Sequence, residues 1–288
     1  LFGKNASAGV ISVTTKAPEF ESNGSVEVGF GNYNQKSLRA FYTGPLSDSV
    51  AFSLSGSSLE RDGYFDNVPT NTTFNDRDRW STRADFLAEL SETSELRVIF
   101  DYDEIDEVCC GTANLVNGPA GGALSALSVV PGEAYVPEDA FNFRHYGNLD
   151  TINRGENKGI TVDYKTSFGD VDVRSITAYR DSYFNQPAGD VDFTAADAIG
   201  NSTGETEIKT FTQEIRVSGQ SGNVDWLLGG FYFDESIDFE NSIEFGAQWR
   251  NYINLLVGGG NIAAGDAATS GFEALLGYAP GTFFADGD

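Results

Sequence analysis

The sequence predicts an all-β fold, an antiparallel transmembrane β-barrel of which this chain carries about nine strands. Two observations lead there. Apolar and polar residues alternate in segment after segment, and at roughly 9–13 residues each segment has the length of a tilted membrane-crossing strand. The connections alternate between short and long, as they do when tight turns lie on one side of a membrane and loops on the other. A soluble sandwich shares the alternation but has no reason to put its loop length at one end.

Composition narrows the class. Of 288 residues, 40% are hydrophobic, yet no apolar run reaches the roughly 20 residues of a membrane helix. Crossing by strands hides the apolar face from a hydropathy window. Gly (33), Phe (22) and Tyr (12) are abundant, with only 2 Cys and 1 His. The net charge of −25 excludes nucleic acid as a partner and opposes electrostatic binding to anionic lipid. With no Met and no basic, apolar leader, the chain is expected to be an internal segment of a longer protein.

In chain order, Val10–Thr15 reads as a strand that Pro18 stops. Ser25–Asn32, Lys36–Gly44, Val50–Ser58, Trp80–Leu90 and Leu96–Asp103 alternate, as do Ile160–Phe168, Val171–Phe184, Ile208–Val217 and Val224–Asp234. Short turns at Pro45–Asp48, Ser91–Ser94, Gly169–Asp170 and Gly219–Asn223 would face the periplasm. Glu60–Arg79, Val108–Gly155, Asn185–Gly204 and everything from Ile237 onward read as long extracellular loops. A capping box at Ser270–Glu273 predicts a short helix starting there.

The opening stretch carries the most specific signal. Leu1-Phe2-Gly3-Lys4-Asn5-Ala6, then Gly9-Val10-Ile11, Val13, Thr15-Lys16 and Pro18, resembles the end of the plug domain of TonB-dependent outer-membrane receptors. Ala8 and Ser12 depart from the commonest form of that motif, in which Gly and Asn stand. The resemblance implies that residues 1–18 end a plug domain, with Gly3, Asn5, Gly9, Thr15, Lys16 and Pro18 as motif positions. Residues 19–288 would then be the N-terminal portion of the barrel, incomplete because family members close with about 22 strands. It further implies the outer membrane of a Gram-negative bacterium, with lipid bilayer and lipopolysaccharide around the barrel. A TonB energy-coupling complex would be reached through a segment absent here. The implied activity is active uptake of a scarce solute such as a ferric siderophore or other metal chelate, a vitamin or an oligosaccharide. Neither an enzyme nor a resident cofactor is implied. A passive porin needs no such motif; a secreted β-rich adhesin or enzyme is the remaining alternative, and hydrolysis would need an acid pair that does not stand out among 43 Asp and Glu.

Candidate sites are few. Asp101, Asp103, Glu104, Asp106 and Glu107 either gather cations or form a solvated acidic loop mouth, with spacing unlike an EF-hand. Cys109 and Cys110 are expected to be oxidised outside the cell, bridging each other or partners elsewhere, or to stay free; their spacing excludes a redox C-x-x-C or zinc site. His145, with Tyr135, Phe143 and Tyr146, either contacts ligand in an aromatic patch or packs its loop. Trp80, Tyr102, Tyr179, Trp226 and Tyr232 fall where interfacial aromatic girdles would lie, though β-propensity also puts aromatics there.

Overall fold

A computed structural model describes residues 13–113, 115–116, 118–128 and 141–285. Twelve strands and three helices follow in order. They are β1 (Asn23–Phe30), β2 (Lys36–Ser47), β3 (Val50–Arg61), β4 (Phe65–Asn67), β5 (Thr72–Phe74), β6 (Arg77–Ser91) and β7 (Ser94–Val108). After α1 (Gly121–Leu127) come β8 (Arg144–His145), β9 (Ile152–Phe168), β10 (Val171–Ala188), β11 (Ile199–Ser221) and β12 (Val224–Phe245), then α2 (Trp249–Val257) and α3 (Ile262–Leu275). Nine strands form one antiparallel meander, β1-β2-β3-β6-β7-β9-β10-β11-β12, each paired with its neighbour in that order. A second sheet of three short strands, β5-β4-β8, lies among the long connections.

The register aligns the alternation from strand to strand. Val162 of β9 pairs with Val98 of β7, which lies on the same face as Phe86 of β6 and Phe52 of β3. That face is apolar and open, with Val26, Phe100 and Leu228 at 73%, 45% and 71% exposure. The opposite face carries Arg39, Arg83, Asp85, Arg97, Asp101, Asp163, Arg174 and Arg216. We call these faces outward and inward.

The outward face changes character at one level. Trp80, Tyr102, Tyr179, Phe211 and Tyr232 lie near one level on β6, β7, β10, β11 and β12, with Ile160 between them on β9, and Trp80 and Tyr102 are 5.0 Å apart and Phe211 and Tyr232 6.1 Å apart. Beyond that line the outward positions become Glu104 and Asp106, then Arg154, Glu156 and Lys158, then Asp181, Glu207 and Lys209. They pair with one another, Arg154 with Asp106 at 3.1 Å, Lys158 with Glu156 at 2.9 Å, and Lys209 with Glu207 at 2.6 Å. Apolar residues move inward at the same level, as with Ile237 and Phe239 of β12. An aromatic line bounding an apolar band is what a membrane–water interface selects. Trp226 sits at the other end of the band, opposite Gly219 beside the β11–β12 turn.

Several expectations need correction. The nine strands of the large sheet run from 8 to 23 residues, so the later ones far exceed membrane-spanning length. β12 continues to Phe245 because Ile237–Phe245 does alternate, with its polarity reversed above the aromatic line. The Asn185–Gly204 loop shrinks to 189–198, because β10 and β11 extend into it. Glu60–Arg79 holds the β4–β5 hairpin. The Ser270–Glu273 box ends a helix rather than starting one: α3 begins at Asn261, whose side chain accepts from the Ala264 N–H at 3.0 Å. Val13–Ala17 forms no strand and is exposed, while Val10–Ser12 lies outside the described residues.

The assignment of faces has a direct consequence. Placing Arg at Val162, mid-band on the outward face, is expected to destabilise the full-length protein in a bilayer by about 2–4 kcal/mol. Thr161→Arg, on the inward face of the same strand, is expected to cost far less. Urea unfolding from lipid vesicles checks the difference.

Candidate functional site

Two places concentrate polar chemistry, the inward wall and the layer of outer connections. On the wall, Asp85 of β6 and Arg97 of β7 are diagonal neighbours on one face. Arg97 donates from Nε to Asp85 Oδ1 at 2.9 Å and from Nη2 to Oδ2 at 2.6 Å. Asp85 is buried, at 2% side-chain exposure, and Arg97 nearly so at 12%, so the carboxylate is not tolerable there without the guanidinium. The guanidinium has donors left, and they reach the N-terminal segment. Arg97 Nη2 donates to the Lys16 carbonyl at 3.0 Å and to Thr15 Oγ1 at 3.2 Å, and Arg83 Nη2 donates to Thr15 Oγ1 at 2.9 Å. Pro18 is buried, and the Glu19 N–H donates to Thr43 Oγ1 at 2.9 Å. A peptide without strand structure is thus clasped against the polar face.

Further pairs line the same face. Arg174 forks onto Asp163 at 2.9 and 2.7 Å, and Lys165 pairs with Glu95. Arg180 of β10 reaches across β9 to Asp101 of β7, 3.3 Å from Nη1 to Oδ1. It passes over Gly159, where any side chain would press on the guanidinium. The acidic run is therefore not one cluster. Asp101, Asp103 and Glu107 turn inward to Arg180, Asn157 and the Arg77–Arg79 pair, while Glu104 and Asp106 turn outward to Tyr102 and Arg154. Period two splits it between the two faces, with Glu107 buried under its arginines and Asp106 half-exposed beside Arg154. Among the described residues no group of three or more His, Cys, Asp or Glu is placed to hold a metal.

The outer layer is stitched from distant segments. β8 pairs parallel with β4, setting His145 opposite Asn67. Asp150 accepts from Asn67 Nδ2, Thr70 Oγ1 and Thr72 Oγ1 at 3.1, 2.8 and 2.7 Å. His145 is 1% exposed and lies 4.6 Å from the buried Phe74 ring. Burial pushes its imidazole down, against the Thr112 carbonyl and the Asp150 charge. Tyr146 is buried as well, and Tyr135 lies outside the described residues. Phe143, by contrast, is 49% exposed and meets Phe65 and Tyr64 at 5.4 and 5.9 Å, with Tyr33 6.0 Å from Tyr64. Tyr33, Tyr64 and Phe65 carried no sequence signal, because turn and loop residues from three connections meet only in the fold. Cys109 and Cys110 bridge each other. They sit at the root of the longest connection, where the Cys109 N–H donates to the Thr151 carbonyl at 2.9 Å.

Above these, α1 and α2 bury Leu124, Leu127 and Leu255 around Ala196. Glu273 of α3 is fully buried and accepts from the Gly281 N–H at 2.7 Å, the Phe283 and Phe284 N–H groups at 3.1 Å, and Arg250 Nη1 at 3.0 Å. Burial pushes its carboxyl up, but these donors outweigh that and hold it at about 2. Of the motif positions, Thr15, Lys16 and Pro18 meet the wall, whereas Gly3, Asn5 and Gly9 lie outside the described residues.

No family model matches the chain. A curated relative, the ferrioxamine B receptor of Salmonella typhimurium, is 36% identical over 67 residues, which is 23% of this chain and 10% of that receptor. Among solved structures, the ferric yersiniabactin uptake receptor of Yersinia pestis superposes with a TM-score of 0.65 at 12% identity, covering 82% of this chain and 34% of that one. The ferric-catecholate import receptor of E. coli K12 gives 0.60 at 14%, covering 82% and 34%. The ferripyoverdine receptor of the outer membrane of Pseudomonas aeruginosa gives 0.59 at 15%, covering 81% and 30%. The chain thus spans about a third of each solved neighbour, and the likeness is one of fold.

Two outcomes follow from the geometry. Asp85→Ala, which leaves Arg97 buried without its carboxylate, is expected to cost about 3–5 kcal/mol and to release residues 13–18, read as faster hydrogen exchange there. Glu273 is held below the ordinary carboxylate value of 4.5. Its contribution is therefore full above that value and lost as pH falls towards about 2, so acid should unfold α3, whereas Glu273→Gln should be insensitive to pH in that window.

Proposed function

We infer that this chain, which has the fold of the TonB-dependent outer-membrane receptors, forms part of the barrel of such a receptor and serves active uptake of a ferric chelate across the outer membrane. The observation that carries the reading is the clasp of Arg97 and Arg83 on Thr15 and Lys16. A pore that conducts passively has no use for peptide bound to its inner wall, whereas a plugged transporter requires it. The whole receptor would draw energy from a TonB complex in the periplasm, and Thr15–Pro18 would be the joint at which the plug passes into the wall. Relatives named for ferric siderophores support the choice of solute class.

The solute would first meet the exposed rings of Phe143 and Tyr33 and the half-buried rings of Phe65 and Tyr64 between them, with Arg61 5.2 Å from the Tyr64 ring. Apolar rings beside a guanidinium suit a chelate that buries its metal and presents carbon and oxygen outside. His145 and Tyr146 would act from behind this surface, as its support.

Iron-starved cells carrying the full-length receptor should accumulate a radiolabelled ferric siderophore, and collapse of the proton-motive force should stop it. Continued entry without that force would mark a passive channel. Phe143→Ala is expected to weaken binding about fivefold or more. A thiol label should reach Cys substituted at Phe141 in intact cells and fail to reach one at Asn223; the reverse would invert the orientation.

A further inference from the structure

Cys109 and Cys110 are the chain's only cysteines, and they bridge each other. What a disulfide adds to overall stability grows with the length of the loop it closes. This one closes no loop beyond the peptide bond between its own residues, so it adds the least that a bridge can. Its effect is local. The ring removes the backbone rotations between two neighbours at the point where β7 gives way to the longest connection.

That point is a corner where distant segments meet. The Asn75 N–H donates to the Val108 carbonyl at 2.8 Å, and the Val108 N–H donates to Asp76 Oδ1 at 2.7 Å. The Cys109 N–H donates to the Thr151 carbonyl at 2.9 Å, while Asn153 Nδ2 donates to the Cys109 carbonyl. Past the bridge, the Gly111 N–H donates to Asn75 Oδ1 at 3.1 Å, and the Thr112 carbonyl lies 2.9 Å from His145 Nδ1. Gly111 is also the seat of two rings. A methyl group there would stand 2.9 Å from Phe74 Cβ and 3.1 Å from Phe65 Cβ. Phe65 in turn meets Phe143 and Tyr64. Residues 108–112 thus tie the β5–β6 turn, β8 and the start of β9 to the aromatic cluster, with the bridge in their midst.

Access to the bridge is one-sided, since Cys110 is exposed and Cys109 half-buried. We propose that the bridge is a redox-sensitive pin: a small thiol opens it by attack at Cys110, and the opening loosens residues 108–112 and, through Gly111, the seat of Phe65. In the first step the thiolate bonds to Cys110 Sγ, the bond between the cysteine sulfurs breaks, and Cys109 leaves as a thiolate. A second small thiolate then bonds to the first one's sulfur in the mixed disulfide, and Cys110 leaves in its turn. The cysteines take up the protons that the small thiols gave up. Two small thiols become one small disulfide, and the bridge gains two electrons and two protons. An excess of that small disulfide runs both steps backwards, so the pin resets. Where the aromatic cluster receives the solute, as read above, the pin makes that surface answer to the redox state of the medium.

Dithiothreitol added to the folded full-length receptor tests the pin. Alkylation followed by mass spectrometry should find Cys109 and Cys110 modified while the protein stays folded. Hydrogen exchange at the Asn75, Cys109 and Gly111 N–H groups should then rise about fivefold or more, as the freed backbone rotations allow. The Asp66 and Val68 N–H groups, which donate to the Phe143 and His145 carbonyls, should follow. Amides paired between β2 and β3 should keep their rates. Cys109→Ser combined with Cys110→Ser should exchange at the raised rate with or without reductant; the wild-type measurement decides alone should that variant fail to fold. A bridge that opens only on unfolding, or exchange at these groups that stays unchanged once it is open, would overturn the proposal. So would an equal rise across β2 and β3. None of these readings needs a solute or transport, so failure of the pin and failure of the uptake assignment are told apart.

Discussion

A β-strand has two faces, and this sheet is built to keep a different medium on each. That demand fixes almost everything else about it. Outward residues between the turns and the aromatic line must be apolar, so the inward wall has to take the charges that the chain carries. Once there they cannot stand alone, and diagonal pairs such as Arg97 with Asp85 and Arg174 with Asp163 form because inward neighbours on adjacent strands are within reach of one another. The clasp on Thr15 and Lys16 is what those pairs do with the donors they have left. Above the line the same demand runs in reverse, with charges outside and Ile237 or Phe239 within.

What could be read from the sequence was whatever depends on neighbours along the strand. Trp80–Leu90 and Leu96–Asp103 announced themselves because their period of two stays in phase with one apolar face. Ile237–Phe245 has the same period, yet reads as loop in sequence because its apolar phase shifts from even to odd positions above Tyr232. The flip is a signal in itself, marking where the strand leaves lipid. β4, β5 and β8 were invisible for another reason: strands of two or three residues have no period, and the β4–β8 pairing is parallel and far apart in sequence. The start of α3 is not legible in sequence because its cap, Asn261, stands ahead of a run of small residues, while Ser270 near its end has the stronger cap pattern.

The candidate site divides along the same boundary. Thr15, Lys16 and Pro18 were legible as a motif, and the wall to which they bind was legible as a polar face; that Arg97 and Arg83 would be the groups to hold them was not. His145 stood out by being alone in the chain, but rarity says nothing about burial, and its ring faces Phe74 and Gly147 rather than solvent. The aromatic cluster gathers Tyr33, Tyr64, Phe65 and Phe143 from connections whose meeting depends on three-dimensional closure. Residues that act by touching what is remote in sequence leave no local trace.

β11, at 23 residues, would measure roughly 75 Å along its axis, against an apolar band only about 25 Å tall in barrels of this kind. Even steeply tilted, more than half of such a strand stands clear of the bilayer as a stiff parapet. Its ladder to β12 is continuous through that height. The position of such a rim is set by main-chain pairing rather than by the sway of a tether.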